Sequence, residues 1–247
     1  MRMTGKTAIV TGGASGFGAG IVRNFAAEGA RVLVVDINAD GAASMAEEVG
    51  NGALSIGCNV ADGASVAEMA AFAIRELGQV DILVNNAGIT HLPKPMEDVG
   101  EDEFDRVFAV NCKSVYLTAR ELVPHMRQKG GAILNVASTA GLSPRPRLHW
   151  YNASKGWMIT ATKTMAVELA PSNLRVNAIC PVAGETPLLS SFMGEDTPEM
   201  REKFLSTIPL GRFSTPEDMG NAACFLCSDE AGMITGVAME VDGGRCI

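Results

Sequence analysis

The chain predicts one doubly wound α/β domain, a seven-stranded parallel sheet with helices on both faces, spanning residues 1–247. Three observations carry that reading. Seven short, apolar runs alternate with longer helical patterns. The runs are apolar on both faces, as strands are when helices cover each side of a parallel sheet. No Pro-, Gly- or Ser-rich linker and no repeat interrupts the alternation, which closes through right-handed crossovers into a single sheet.

The first strand is expected at 7–11 (TAIVT), and this short run suits a strand better than a signal-peptide core. A helix near 16–28 leads to a second strand at 31–36 (RVLVVD), then a helix at 39–49. A strand at 53–58 (ALSIGC), a helix at 63–77 and a strand at 81–85 (DILVN) follow. Helices at 101–111 and 113–128 precede the strand at 132–137 (AILNVA), and a helix at 152–169 precedes that at 175–180 (RVNAIC). The last pair is a helix at 216–228 and a strand at 238–241 (AMEV). That helix has a clear start: Thr215 as N-cap, Pro216 at the first position, then acidic Glu217 and Asp218. The stretch 182–215 is too long for an ordinary connection and reads as a substrate lid. It carries Leu188, Leu189, Phe192, Met193, Met200 and Phe204 to lay over a pocket.

Bulk chemistry narrows the function classes. The chain is 47% hydrophobic with a net charge of −8, a poor electrostatic footprint for a nucleic-acid binder, which needs clustered cations. No run of eighteen apolar residues occurs, so no membrane span is expected. Six cysteines, at 58, 112, 180, 224, 227 and 246, fall mostly in apolar runs. Cys224 and Cys227 have metal-like spacing, but no second pair or histidine cluster completes a zinc site, so core packing and no metal are expected. Reduced cysteines fit a cytoplasmic protein.

The first strand runs directly into "TGGASGFG" at 11–18 and then a helix. Gly12, Gly16 and Gly18 have a G-x-x-x-G-x-G spacing, not the G-x-G-x-x-G fingerprint, but the physics is shared. Glycines let the backbone approach a pyrophosphate, and the helix N-terminus presents unpaired N–H groups. Ser15 and Phe17 belong to the same loop. The second strand ends at Asp36, eighteen residues after Gly18, where a carboxylate accepts hydrogen bonds from a ribose 2′-hydroxyl and repels a 2′-phosphate. No cation stands beside it to neutralise a phosphate, so NAD is expected over NADP. Aspartate also caps turns well, as "DINADG" would allow.

"HWYNASKG" at 149–156 puts Tyr151 and Lys155 one helical turn apart on one face. Together with "TGGASGFG", "NNAG" at 85–88, Asn111, and Ser138 thirteen residues before Tyr151, it gives a chain that resembles the short-chain dehydrogenases/reductases along essentially its whole length. The resemblance implies a Rossmann-like sheet, a nicotinamide cofactor and a catalytic tetrad of Asn111, Ser138, Tyr151 and Lys155. It adds Asn59, Val60, Asn86, Ala87, Gly88, Pro181, Gly184 and Thr186 to the loop and Asp36 as cofactor contacts, with Lys155 holding the nicotinamide ribose beside Tyr151. It also implies a homotetramer, with helices 113–128 and 152–169 in an interface.

The chemistry of the residue types agrees. Hydride transfer from an alcohol carbon needs a base for the hydroxyl proton, and the reverse reaction needs an acid. Tyrosine titrates near 10; bringing Tyr151 to about 7 takes roughly 4 kcal/mol, which a neighbouring ammonium such as Lys155 is suited to supply. Ser138 is placed to hydrogen-bond the substrate oxygen, and the resemblance gives Asn111 a water between Lys155 and solvent. Two positions depart from the family pattern. Asn59 stands where an aspartate is usual, and Val182 takes a glycine position, with a glycine two residues later at Gly184.

The segment between Ser138 and Tyr151 should border the substrate, with Leu148 on its wall. Arg145 and Arg147 either recognise a substrate anion or form surface ion pairs. The leading reading is an NAD-dependent dehydrogenase/ketoreductase of a small secondary alcohol or ketone. An NADPH-dependent 3-oxoacyl-carrier-protein reductase and a non-catalytic NAD-binding redox sensor are the alternatives.

Overall fold

The computed structural model describes residues Met1–Ile247. Seven strands form one all-parallel sheet in the order β3-β2-β1-β4-β5-β6-β7: β1 (Thr7–Thr11), β2 (Arg31–Asp36), β3 (Leu54–Gly57), β4 (Ile82–Asn85), β5 (Gly131–Val136), β6 (Leu174–Pro181) and β7 (Ala238–Val241). β1 is flanked by β2 and β4, so the chain reverses direction across the sheet there and opens a crevice at the carboxyl ends of the two central strands.

Strand pleat distributes the core. Ala8 and Val10 of β1 and Val32 and Val34 of β2 point to one face, where α1 (Gly16–Ala27), α2 (Ala39–Val49) and α9 (Pro216–Cys227) cover them. Ile9, Leu33 and Val35 point to the other, beneath α3 (Gly63–Leu77), α5 (Ser114–Met126) and α6 (His149–Leu169). Cys224 and Cys227 lie buried in the first of these layers.

Local chemistry sets four of the helix starts. The side chains of Asn38, Asp62 and Thr197 accept from the backbone N–H of Gly41, Ser65 and Met200, opening α2, α3 and α8 (Pro198–Leu205). Thr215, the N-cap the sequence indicates, forms a reciprocal capping box with Asp218 around Pro216 at the start of α9.

The two helices expected at 101–111 and 113–128 are one continuous rod. α4 (Glu101–Phe108) passes through a π turn at Ala109–Lys113 directly into α5. A π turn inserts one residue without breaking the rod, so no turn signal marks it in the sequence. The stretch 182–215 holds two short helices, α7 (Leu189–Met193) and α8. Val182, Leu189, Met193, Ile208 and Phe213 bury one another there in a small core of their own.

α1 and α9 cross at two glycines. A Cβ on Gly20 would overlap the carbonyl oxygen of Pro216, and one on Gly220 would sit 2.6 Å from the carbonyl oxygen of Gly20. Backbone meets backbone at this crossing, so neither side yields cheaply. Gly20→Ala is expected to destabilise the protein by roughly 1–3 kcal/mol through overpacking, read as a lower urea midpoint at unchanged m-value.

Candidate active site

The crevice deepens into a cavity of about 420 Å³, of the size of small-molecule sites. Its floor is the junction between β1 and β4. Thr11 Oγ1 accepts from the backbone N–H of Asn86 (3.0 Å) and of Ala87 (3.1 Å). Asn86 Nδ2 donates to the carbonyls of Thr11 (2.8 Å) and Gly12 (3.0 Å). Gly12 adopts φ +64°, and a Cβ there would lie 2.9 Å from Ala87 Cα, so only glycine lets the two loops touch. Beneath them a buried polar chain binds four elements. Thr118 of α5 donates to Asn85 (2.8 Å), Asn85 to Asn135 (2.8 Å), and Asn135 to Thr162 of α6 (2.8 Å).

At one end the cavity meets the start of α1. Ser15 opens α1 without a side-chain cap bond, and the N–H groups of Gly16, Phe17 and Gly18 find no acceptor within the chain. A helix N-terminus with its first donors unspent fits a pyrophosphate. Asp36 lines the same end. Its Oδ2 accepts from the backbone N–H of Ala14 (3.1 Å) and its Oδ1 from that of Asn38 (3.0 Å), which fixes the carboxylate against the loop.

At the other end are Ser138, Tyr151 and Lys155. Ser138 follows β5 and opens a short 3₁₀ turn, its Oγ accepting from the N–H of Ala140 (3.1 Å). Lys155 Nζ donates to the carbonyl of Val136 (2.8 Å) and stands 5.9 Å from the Tyr151 ring centroid. Gly88 leaves the space above it open: a Cβ there would be 3.3 Å from Lys155 Nζ and 3.4 Å from Asn111 Oδ1. Asn111, in the π turn, is locked. It exchanges two 2.9 Å hydrogen bonds with the backbone of Ile89 and donates to Ser154 Oγ, which itself donates to the Tyr151 carbonyl. Ser154, inside "HWYNASKG" but given no role there, thus couples the π turn to the helix carrying Tyr151 and Lys155.

Electrostatically the pair differs from the sequence expectation. Burial pushes the Tyr151 phenol up to about 12, and the opposing influences are a Ser138 hydrogen bond and the Arg145 cation rather than Lys155. Burial likewise brings Lys155 down to about 8. Desolvation penalises both charged forms, and neither group appears among the causes of the other's shift.

Most expected contacts converge: Gly12, Ser15, Gly16, Phe17, Asp36, Asn59, Val60, Asn86, Ala87, Gly88, Pro181, Gly184 and Thr186 line the cavity with Ser138, Arg145, Tyr151 and Lys155. Two expectations, Gly18 at the cofactor and Leu148 at the substrate, are corrected. Gly18 does not line it, because it packs beneath the loop, where a Cβ would overlap the Gly12 carbonyl oxygen. Asn85 is spent in the polar chain below, and Asn111 is sealed behind Gly88 and Ile89. Leu148 is buried against Ala140, Tyr151 and Phe192 rather than on the wall. Arg147 is exposed, at φ +70°, and lies off the cavity. Gly184 has its own reason: Phe17 lies against its α-carbon, so a side chain there would collide with the ring. Val182, in the position where a glycine was expected, joins the small core of the 182–215 segment as well as the cavity wall. Arg245 and Cys246 also line the cavity, and nothing near them in sequence signals it.

The family model described as enoyl-(acyl carrier protein) reductase matches residues 12–245. Over the full length of both chains, this one is 52% identical to a 4-formylbenzenesulfonate dehydrogenase of Comamonas testosteroni. The chain belongs to the short-chain dehydrogenases/reductases. A further relative in this family is a 3-oxoacyl-[acyl-carrier-protein] reductase of Thermotoga maritima, 40% identical over the whole of both chains. A crystal structure described as 3-ketoacyl-(acyl-carrier-protein) reductase from Brucella melitensis complexed with NADH superposes with a TM-score of 0.94 at 48% identity, covering 99% of this chain and 100% of that one. As a family member the protein is an oxidoreductase of alcohol and carbonyl groups that uses a nicotinamide dinucleotide.

A lysine titrating near 8 when folded and near 10.5 when unfolded has a definite pH signature. Between those values the unfolded chain holds a proton that the native protein has released, so native stability rises with pH across the window. Relative to Lys155→Met, the wild type is expected to gain about 3 kcal/mol between pH 7 and pH 10.5, measured by urea unfolding of both proteins across the range. A pH-independent difference would count against a depressed Lys155.

Proposed function

We propose that the protein is an NAD(H)-dependent dehydrogenase/ketoreductase in which Tyr151 is the general acid/base. The observation that carries this reading is one cavity shared by Tyr151, Ser138 and Lys155 at one end and the glycine loop with Asp36 at the other. A nicotinamide dinucleotide bound along it supplies the two-electron chemistry. Gly12, Ser15, Gly16 and Phe17 would hold its pyrophosphate, Asp36 its adenosine ribose, Asn59 and Val60 its adenine, and Pro181, Gly184 and Thr186 its nicotinamide side.

Ser138 Oγ orients the substrate oxygen toward Tyr151, which takes the hydroxyl proton during oxidation and returns one during reduction. A phenol held near 12 favours the acid role until positive charge enters the site. Lys155, held over Gly88 by the Val136 carbonyl, is placed to stabilise the phenolate and to receive the ribose hydroxyls. Asn111 acts by holding the Ile89 backbone and the Tyr151 turn in register, with any water route to Lys155 passing its side chain. The segment 182–215 serves as the lid, its Leu188, Phe192 and Phe204 reaching the cavity.

NAD is favoured over NADP because a carboxylate, with no basic side chain lining that end of the cavity, faces the position of a 2′-phosphate. The carrier-protein reductase reading has the names of the Thermotoga and Brucella relatives in its favour, and Asp36 against its NADPH form. The Comamonas relative's name favours a small aldehyde or alcohol instead. Steady-state kinetics with both cofactors should give NAD(H) a kcat/KM advantage of about a hundredfold, and Tyr151→Phe should lower kcat by about a thousandfold while NADH still binds. Preference for NADPH, or a fully active phenylalanine variant, would reverse the respective assignment.

The assembly proposed is a homotetramer. α4, α5 and α6 expose Phe104, Phe108, Tyr116, Trp150 and Trp157, with Phe104 stacked on Phe108 (5.9 Å) and edge-on to Trp150 (5.5 Å). Such an apolar face is what a second copy would cover. No helix is long and apolar enough to cross a membrane, and six free cysteines suit the reducing cytoplasm. Sedimentation equilibrium should give four times the 25.9 kDa chain mass, and Trp157→Glu should lower the assembled fraction.

A further inference from the structure

The charges around the cavity divide sharply. Its one acidic side chain, Asp36, stands at the glycine-loop end, while Arg145, Lys155 and Arg245 line it elsewhere. Neither Arg145 nor Arg245 has an ion-pair partner, and neither guanidinium makes a hydrogen bond within the chain. The acid nearest Arg245 in sequence is engaged elsewhere: the Asp242 carboxylate accepts from the backbone N–H of Gly244 (2.9 Å) and Cys246 (2.8 Å). Most of the chain's other arginines are paired or bonded to backbone carbonyls, as Arg175 is to Leu226 and Ser228.

Arg145 is also positioned, not loose. Its guanidinium lies 4.5 Å from the centre of the Phe204 ring, and its carbonyl is held by Asn152 Nδ2 (2.7 Å). Phe192, edge-on to Tyr151 at 5.0 Å, adds a second aromatic wall from the lid. Two unneutralised guanidiniums drawn into one partly desolvated cavity repel each other: burial first, and Arg245 to a lesser degree, push Arg145 below its usual range. Such an arrangement is costly unless an anion completes it.

We infer that Arg145 and Arg245 together bind an anionic group on the substrate, so that the oxidised or reduced compound is an alcohol or carbonyl carrying a carboxylate, sulfonate or phosphate beyond an apolar body. This rests on the dehydrogenase reading above and specifies its substrate class. The planar guanidinium forks suit the oxyanion, Phe192 and Phe204 flank the apolar body, and the reacting oxygen is left to Ser138 and Tyr151.

Two measurements test this separately from catalysis. In the first, benzoate, benzenesulfonate and neutral benzamide are titrated calorimetrically into the protein with and without saturating NAD. The anions are expected to bind and benzamide not, and Arg145→Gln and Arg245→Gln are each expected to weaken anion binding by about ten- to a hundredfold. In the second, kcat/KM is measured for 4-substituted benzaldehydes and acetophenones bearing carboxylate or sulfonate, against matched carboxamides and sulfonamides. The anionic-to-neutral ratio is expected to exceed about ten and to fall toward one in either glutamine variant. The ratio cancels any general effect of Arg145 on Tyr151. Arg145→Lys and Arg245→Lys keep the charge and stem, should retain part of the preference, and serve if a glutamine variant does not fold. Turnover with a ratio near one and no anion binding overturns the anion site and leaves the dehydrogenase standing. Anion binding that requires both arginines, without turnover of any carbonyl by either nucleotide, supports the site and overturns the dehydrogenase.

Discussion

The junction between the ends of β1 and β4 is the constraint on which the site depends. In a parallel sheet whose strand order reverses at β1, the loops leaving these two strands part to opposite faces and leave a crevice. Left alone, the loop ends would expose backbone donors and acceptors to one another without partners. Thr11 and Asn86 supply those partners, and Gly12 removes the Cβ that would hold the loops apart. The glycine loop is therefore fixed relative to β4, and so is Gly88, which opens the space over Lys155.

The reactive groups are held from beneath and behind rather than by one another. The Thr118–Asn85–Asn135–Thr162 chain joins β4 and β5 to α5 and α6 through buried, satisfied hydrogen bonds. The π turn brings Asn111 against Ser154, and Ser154 against the Tyr151 carbonyl. This rigidity has an electrostatic cost. Burying Tyr151 and Lys155 drives their pKa values apart from the charged pair that chemistry at neutral pH would use. Positive charge entering with an oxidised nicotinamide would favour the phenolate.

Much of the architecture was legible in the chain. Short apolar runs and helical patterns are local, and so are capping chemistries such as Thr215-Pro216 and the spacing that sets Tyr151 and Lys155 on one face. Element order and the glycine loop could be read for that reason, with strand ends displaced by only a residue or so, while the tetrad came through the family resemblance. What failed to read was orientation. Asn85 and Asn86 are neighbours with similar chemistry, yet one enters the buried chain and the other clamps the loop. Leu148 and Arg145 lie three residues apart, and only Arg145 reaches the cavity.

By itself, then, the sequence determined the doubly wound sheet, the glycine loop at the end of β1 and the one-turn spacing of Tyr151 and Lys155, because each follows from local pattern. Tertiary structure alone decided which side chains share the cavity and how their charges balance. Arg245 joins Arg145 from a hundred positions further along the chain, and burial holds the Tyr151 phenol high although a lysine lies one turn away. Convergence and desolvation depend on contacts between distant segments, and no local pattern encodes them.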